Sequence, residues 1–95
     1  MDFHFTNQIW QYDGKGSWVF VSLPIAMAAE IRYINQPFEE GWGRLSVTAK
    51  IDELSWKTAL WFDTKLDTYL LPLKAEVRKK GKLRVEDYVT FHLLL

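Results

Sequence analysis

The sequence predicts a mainly β domain with two short helices, an α+β chain in which strand, strand, helix and strand follow one another twice. Three observations carry that expectation. Leu45, Val47, Ala49 and Ile51 alternate with Arg44, Ser46, Thr48 and Lys50, the period-two signature of a strand with one dry and one wet face. A proline opens a helix-like segment twice, after Leu23 and again after Leu71. The remaining apolar stretches are short, rich in aromatic and β-branched residues, and bounded by Gly, Asp or Pro.

The first strand runs from Phe3 to Tyr12, with Phe3, Phe5 and Ile9 on one parity, and Asp13-Gly14-Lys15-Gly16 supplies the glycines of a reversal. Trp18 to Leu23 returns as the second strand, too short for a free-standing helix. Pro24 ends it, since proline has no N–H for the ladder, and its fixed φ suits the first turn of a helix reaching Ile34. Met27, Ala28, Ile31 and Ile34 form that helix's apolar seam.

Asn35 to Gly43, with a proline, two glycines and two acids, reads as a loop and not as a domain linker. The alternating strand of Leu45 to Ile51 follows, then a turn at Asp52-Glu53. Leu54, Trp56, Thr58, Leu60 and Phe62 then alternate with Ser55, Lys57, Ala59 and Trp61 in a fourth strand, which leaves Trp61 on the wet parity. Asp63 to Asp67 is a turn and Thr68 to Leu71 a short strand. Pro72 to Lys80 is the second helix, with Leu73 and Val77 as its seam and Gly81 closing it. The last strand runs from Tyr88 towards Leu95, pointing Val89, Phe91 and Leu93 one way.

The order therefore looks duplicated, with halves of about residues 1–51 and 52–95 inside one domain. Leu23-Pro24 recurs 48 residues on as Leu71-Pro72, and Ala29-Glu30-Ile31-Arg32 recurs 46 residues on as Ala75-Glu76-Val77-Arg78. Chance recurrence of such short matches is the competing reading.

Composition limits function more than it defines it. A chain of 95 residues and 11.2 kDa buries roughly 65% of its open-chain surface, enough for one core. The absence of cysteine excludes disulfide scaffolds, cysteine-bound zinc and thiol nucleophiles. Aromatics at 16% place the chain far from disordered compositions. No apolar run approaches the roughly 18 residues of a spanning helix, and Met1-Asp2-Phe3-His4 does not open an export signal, so the expectation is a soluble cytoplasmic protein with no membrane partner.

Several residue clusters outline what the chain offers chemically. His4 and His92 lie near opposite ends of the sequence without paired ligand spacing, which argues against a metal, and no Gly-x-Ser-x-Gly elbow surrounds any serine. The carboxylates Glu39-Glu40, Asp52-Glu53, Asp63 with Asp67, and Glu86-Asp87 all fall at expected turns, where solvated loops explain them. The expectation is accordingly a chain that is not an enzyme and needs no cofactor, with an uncharacterised enzyme or enzyme accessory domain as the third reading behind a binding module and a nucleic-acid module.

Charge is neutral overall, yet Lys74, Arg78, Lys79, Lys80, Lys82 and Arg84 stand against Glu76 alone, a net plus five within eleven residues. Lys74 and Arg78, four apart on a helix, share an edge and can meet one phosphate or carboxylate. The bland alternative is a solvated face with Glu76 and Lys80 as a surface pair. The aromatic surplus of Trp18, Trp42, Trp56, Trp61, Tyr33 and Tyr69 gives a second lead, in which Trp61 and Trp42 line a groove or a partner surface while Trp56 is core; for Trp42 the competing and favoured role is a packed loop anchor.

Tyr69-Leu70-Leu71-Pro72-Leu73-Lys74-Ala75-Glu76-Val77-Arg78-Lys79-Lys80 and Val85-Glu86-Asp87-Tyr88-Val89 resemble the strand, Leu-Pro, helix, Arg, Gly-Asp, strand pattern of a small bacterial domain family of unknown function. Gly41-Trp42-Gly43-Arg44 and Ser55-Trp56-Lys57-Thr58-Ala59-Leu60 resemble that family's Gly-Trp-Gly and Trp-x-Thr-Ser-Leu stretches, so the likeness covers nearly the whole chain. Glu86 replaces the pattern's Gly and Ala59 its Ser. The family occurs alone or joined to a segment named for YdeI and OmpD association, and its fold resembles the double-split β-barrel of AbrB-like proteins. AbrB-type chains build that barrel from two protomers, so the resemblance implies that a chain with both halves closes it alone, as a monomer.

The resemblance brings no established activity. It implies a small-anion or aromatic-anion pocket at Trp42, Arg44, Lys74 and Arg78 in a non-catalytic module for an unknown small ligand or protein partner. Its competitor is a nucleic-acid module using Lys74, Arg78, Lys79, Lys80, Lys82 and Arg84.

Overall fold

The computed structural model describes residues 1–14, 16, 18–35 and 43–95. Its elements are β1 (Asp2–Gln11), β2 (Val19–Ser22), α1 (Ile25–Asn35), β3 (Arg44–Ile51), β4 (Leu54–Asp63), β5 (Thr68–Pro72), α2 (Ala75–Gly81) and β6 (Tyr88–Leu94). The strands are all antiparallel to their neighbours and form a closed barrel in the order β1-β2-β5-β4-β3-β6, so no strand is left with an unpaired edge. Among the described residues no helix is long and apolar enough to cross a membrane.

Closure rests on the two long strands, each of which serves two neighbours in succession. β1 pairs Asp2 to Gln8 with β6 and Ile9 to Gln11 with β2. β4 pairs Leu54 to Trp61 with β3 and Trp61 to Asp63 with β5. Exchanging β1, β2 and β3 for β4, β5 and β6 leaves the strand order unchanged.

The inward parity fills the barrel. Phe5, Ile9, Val21, Val47, Ala49, Leu60, Tyr69, Leu71, Phe91 and Leu93 are buried in one cluster, with Phe5 and Phe91 stacked at 5.6 Å between ring centres. The alternation predicted for Leu45 to Ile51 is the alternation found; that of Leu54 to Phe62 is found except at Ala59, expected on the wet parity but only 5% exposed, and Trp56 packs against the core. α1 covers one opening with Met27, Ala28 and Ile31. Ile34, expected on the same seam, is instead 40% exposed, because the last turn of the helix runs past the core it covers.

The Leu-Pro recurrence does not mark equivalent positions. Pro24 immediately precedes α1 and its carbonyl accepts the Ala28 N–H at 2.9 Å; the matching bond of α2 runs from Arg78 N–H to Lys74 O at 3.0 Å. Pro72 is the last residue of β5, in register with Phe20, and α2 begins only at Ala75. A proline is tolerated at a strand end, where a missing N–H costs the ladder least. Two hydrogen bonds do lie 50 residues apart at both ends: Leu23 N–H donates to Tyr69 O at 3.0 Å, and Leu73 N–H donates to Val19 O at 2.9 Å.

Gly81 ends α2 as expected, but the left-handed residue after the helix is Lys82, at φ 54. A Cβ on the glycine would sit 3.2 Å from Leu54 Cδ2 and 3.1 Å from Leu83 Cγ, so those leucines would have to give by a few tenths of an ångström. Glu86, which replaces a glycine of the family pattern, holds φ 80. Its backbone is pinned there: Glu86 N–H donates to Ile9 O at 2.7 Å, and Gln8 Nε2 donates to Glu86 O at 3.1 Å.

A left-handed backbone costs a side-chain-bearing residue roughly 1–2 kcal/mol, offset in part by the extra freedom that glycine gives the unfolded chain. Glu86→Gly is therefore expected to stabilise the fold by about 0.5–1 kcal/mol, read as a higher urea midpoint at unchanged slope. A lower midpoint would show that the Glu86 side chain contributes more than its backbone strain removes.

Candidate functional site

The outer face of four consecutive strands carries an aromatic groove of about 560 Å³. Trp10 of β1 stands opposite Phe20 of β2, and Leu70 of β5 stands opposite Trp61 of β4. The β2–β5 pairing joins the two halves of this row through Phe20 with Pro72 and Ser22 with Leu70. Tyr12 and Asp13 from the β1–β2 turn form one bank; Asp63, Lys65 and Leu66 from the end of β4 and the turn after it form the other.

Leu70 explains why the groove exists. Its neighbours Tyr69 and Leu71 point into the barrel core, so Leu70 points outward, yet it is only 6% exposed. Every residue of β5 is buried, because the strand is covered by the core on one face and by the groove's side chains on the other. The rings of Trp10, Phe20 and Trp18 contact one another, and Trp10 is tied to a serine hydroxyl. Trp10 Nε1 donates to Ser22 Oγ at 2.9 Å, while Asn7 Nδ2 donates to Ser22 O at 2.8 Å. Phe20 lies 5.4 Å from the Trp10 ring and 6.0 Å from the nearly parallel Trp18 ring. On the far bank, Asp63 Oδ1 accepts the N–H groups of Lys65 and Leu66 at 2.9 and 3.0 Å, the self-bonded turn that aspartate favours.

Large apolar side chains nonetheless face water here: Trp18 is 55% exposed, Tyr12 51%, Leu66 47% and Trp61 42%. A contiguous exposed patch of this kind is the ordinary signature of a binding surface, and the groove's volume lies in the small-molecule range. Trp61, expected on the wet parity of its strand and at a groove or a partner surface, lines this groove. Trp10, Phe20 and Leu70 were not singled out, although β2 and β5 are apolar on both parities, the pattern of strands covered on two faces.

The residues predicted for an anion pocket are placed as follows. Trp42 lies outside the described residues. Arg44 begins β3 in register with Trp61, its guanidinium carbon 5.4 Å from that ring's centre. Arg78 is half-buried and its Nε donates to Leu73 O at 3.0 Å, so part of its guanidinium anchors the segment between β5 and α2. Lys74 is exposed at the N-cap of α2. Among the described residues lining the groove, Arg44, Lys74 and Arg78 are not found.

Of the remaining basic residues, Lys80 forms the surface pair with Glu76 at 3.2 Å, and Lys79, Lys82 and Arg84 are exposed. The histidines are closer than their sequence positions imply. β1 and β6 are neighbours in the closed barrel, which sets His4 opposite His92 with ring centres 5.5 Å apart. Among the described residues no group of three or more His, Cys, Asp or Glu is placed to hold a metal ion.

The chain matches the family described as a domain of unknown function, DUF1905, over residues 5–93, and it belongs to that family. No curated protein matches it.

Proposed function

We propose that this DUF1905 domain is a non-catalytic binding module whose ligand seat is the aromatic groove, and that its ligand is a small ring-bearing organic molecule. One observation carries the reading: Trp10 of β1, Trp18 just before β2, Phe20 of β2 and Trp61 of β4 converge on the outside of a barrel that is already filled, and two of those tryptophans face water. Covering Leu70 accounts for Trp10, Phe20 and part of Trp61, but not for the exposed surface of Trp18, Tyr12 and Leu66. Ring-on-ring contact is the interaction the groove offers, at about 0.5–1.5 kcal/mol per aromatic pair beyond area burial.

The competing reading, a nucleic-acid module, draws support from the exposed cations Lys74, Lys79, Lys82 and Arg84. The groove is favoured over it because Arg78 and Lys80 are engaged within the chain and the overall charge is zero. We further infer that the barrel is of the double-split, AbrB-like type, built from two equivalent β-β-α-β halves and closed by one chain acting as a monomer. The strand order that maps onto itself and the 50-residue correspondence of the hydrogen bonds at Leu23 and Leu73 support this.

Three measurements test these readings. Trp18→Ala and Trp61→Ala should each weaken binding of the uncharged fluorophore N-phenyl-1-naphthylamine at least about tenfold, while Trp56→Phe, a change in the core, leaves it unaltered. Equal affinity in all three variants would remove the groove as the seat. Oligonucleotide binding, followed by fluorescence anisotropy, should be weak at low salt; tight binding that falls steeply as salt rises would favour the basic segment instead. Sedimentation equilibrium should give the 11.2 kDa monomer, and an obligate dimer would count against single-chain closure.

A further inference from the structure

We propose that the groove selects a positively charged ligand, a small organic ammonium carrying an aromatic or aliphatic ring, a reading that rests on the groove being the ligand seat. The polar chemistry around the rings points one way. Ring faces are electron-rich and attract cations, most strongly for indole, and four of the lining residues are Trp10, Trp18, Trp61 and Tyr12. Asp13 stands on one bank and Asp63 on the opposite bank, with β2 and β5 between them; Lys65 is the single cation among the described lining residues. An ammonium seated over the rings thus lies between two carboxylates.

The floor gives an anion little in return. The Trp10 indole N–H, a donor that a carboxylate would need, is already donated to Ser22 Oγ. The same chain shows what its rings accept: the Arg32 guanidinium carbon sits 3.8 Å from the centre of Phe62, and that of Arg44 lies 5.4 Å from the centre of Trp61. Each guanidinium takes the face of an aromatic residue on β4; with Arg44 already over Trp61, the exposed rings of Trp18 and Tyr12 are those an incoming ammonium would take.

The test uses three soluble probes that share a phenyl ring and differ in the head group: benzyltrimethylammonium, benzyl alcohol and phenylacetate. Binding to the full chain is followed by the indole N–H signals in two-dimensional NMR, assigned through Trp→Phe variants. The expected order of affinity is ammonium, then alcohol, then carboxylate, with at least about a tenfold gap between the two ions. Asp13→Asn with Asp63→Asn should narrow that gap several-fold and leave the alcohol unchanged; asparagine keeps the turn-forming oxygen of residue 63, so the bank stays in place.

Carboxylate binding as tight as the ammonium, with Trp18 and Trp61 signals moving for both, would overturn the charge preference and leave the groove standing. An unchanged gap in the double variant would overturn the carboxylate assignment. If no probe moves the Trp18 or Trp61 signals, the groove itself fails as a seat, and the charge preference fails with it.

Discussion

The pairing of β2 with β5 is the constraint on which the rest of the structure depends. Only three residue pairs make it, Phe20 with Pro72, Val21 with Leu71 and Ser22 with Leu70, and both strands are among the shortest in the chain. Without it β2 and β5 would each present a row of unsatisfied N–H and C=O groups, and a single bilayer of side chains would replace an enclosed core. Two further bonds extend the seam past the strand ends, from Leu23 N–H to Tyr69 O and from Leu73 N–H to Val19 O. Thr68 Oγ1 adds a buried bond to Leu23 O at 2.7 Å. The chain leaves each of these strands directly towards a helix, so the seam also fixes where α1 and α2 begin.

The same seam makes the groove. Strands this short and this buried need apolar residues on both parities: Val19, Val21, Tyr69 and Leu71 inside, Phe20 and Leu70 outside. Covering the outward residues takes large rings from the flanking long strands, and Trp10 and Trp61 occupy those positions. Half-covering them suffices for the fold. Trp18, Tyr12 and Leu66 go beyond that need, because their exposed surface adds little to stability and carries a liability towards association. Stability explains the floor of the groove, whereas only recognition explains its banks.

How much of this could be read from the sequence follows from the range of each interaction. Strand identity depends on local alternation, so Leu45 to Ile51 and Leu54 to Phe62 were legible, as was the outward placement of Trp61. Pairing depends on residues far apart. Nothing near His4 indicates that His92 will lie opposite it, because their neighbourhood exists only once the first and last strands meet. The groove was obscured for a related reason: Trp18-Val19-Phe20-Val21 and Tyr69-Leu70-Leu71 are apolar on both parities, and a list of apolar residues does not say which face is the core. The second Leu-Pro pair does not open a helix as the sequence suggested, since Pro72 completes a strand while Pro24 immediately precedes a helix. The basic segment was legible as charge but not as geometry: Arg78 is partly committed to the Leu73 carbonyl.

Charge and shape are consequently divided between two sides of the molecule's chemistry. The cations of residues 74–84 surround a helix whose buried face consists of Val77, and their spread over exposed positions gives a diffuse positive field that acts at a distance and is screened by salt. The groove works at contact. Its rings are held by Ser22, by each other and by a turn that Asp63 closes, so little side-chain freedom remains to be lost when a ligand enters. Rings arranged in advance on a barrel whose own core is complete can select a partner by shape and π-face chemistry without disturbing the fold that carries them.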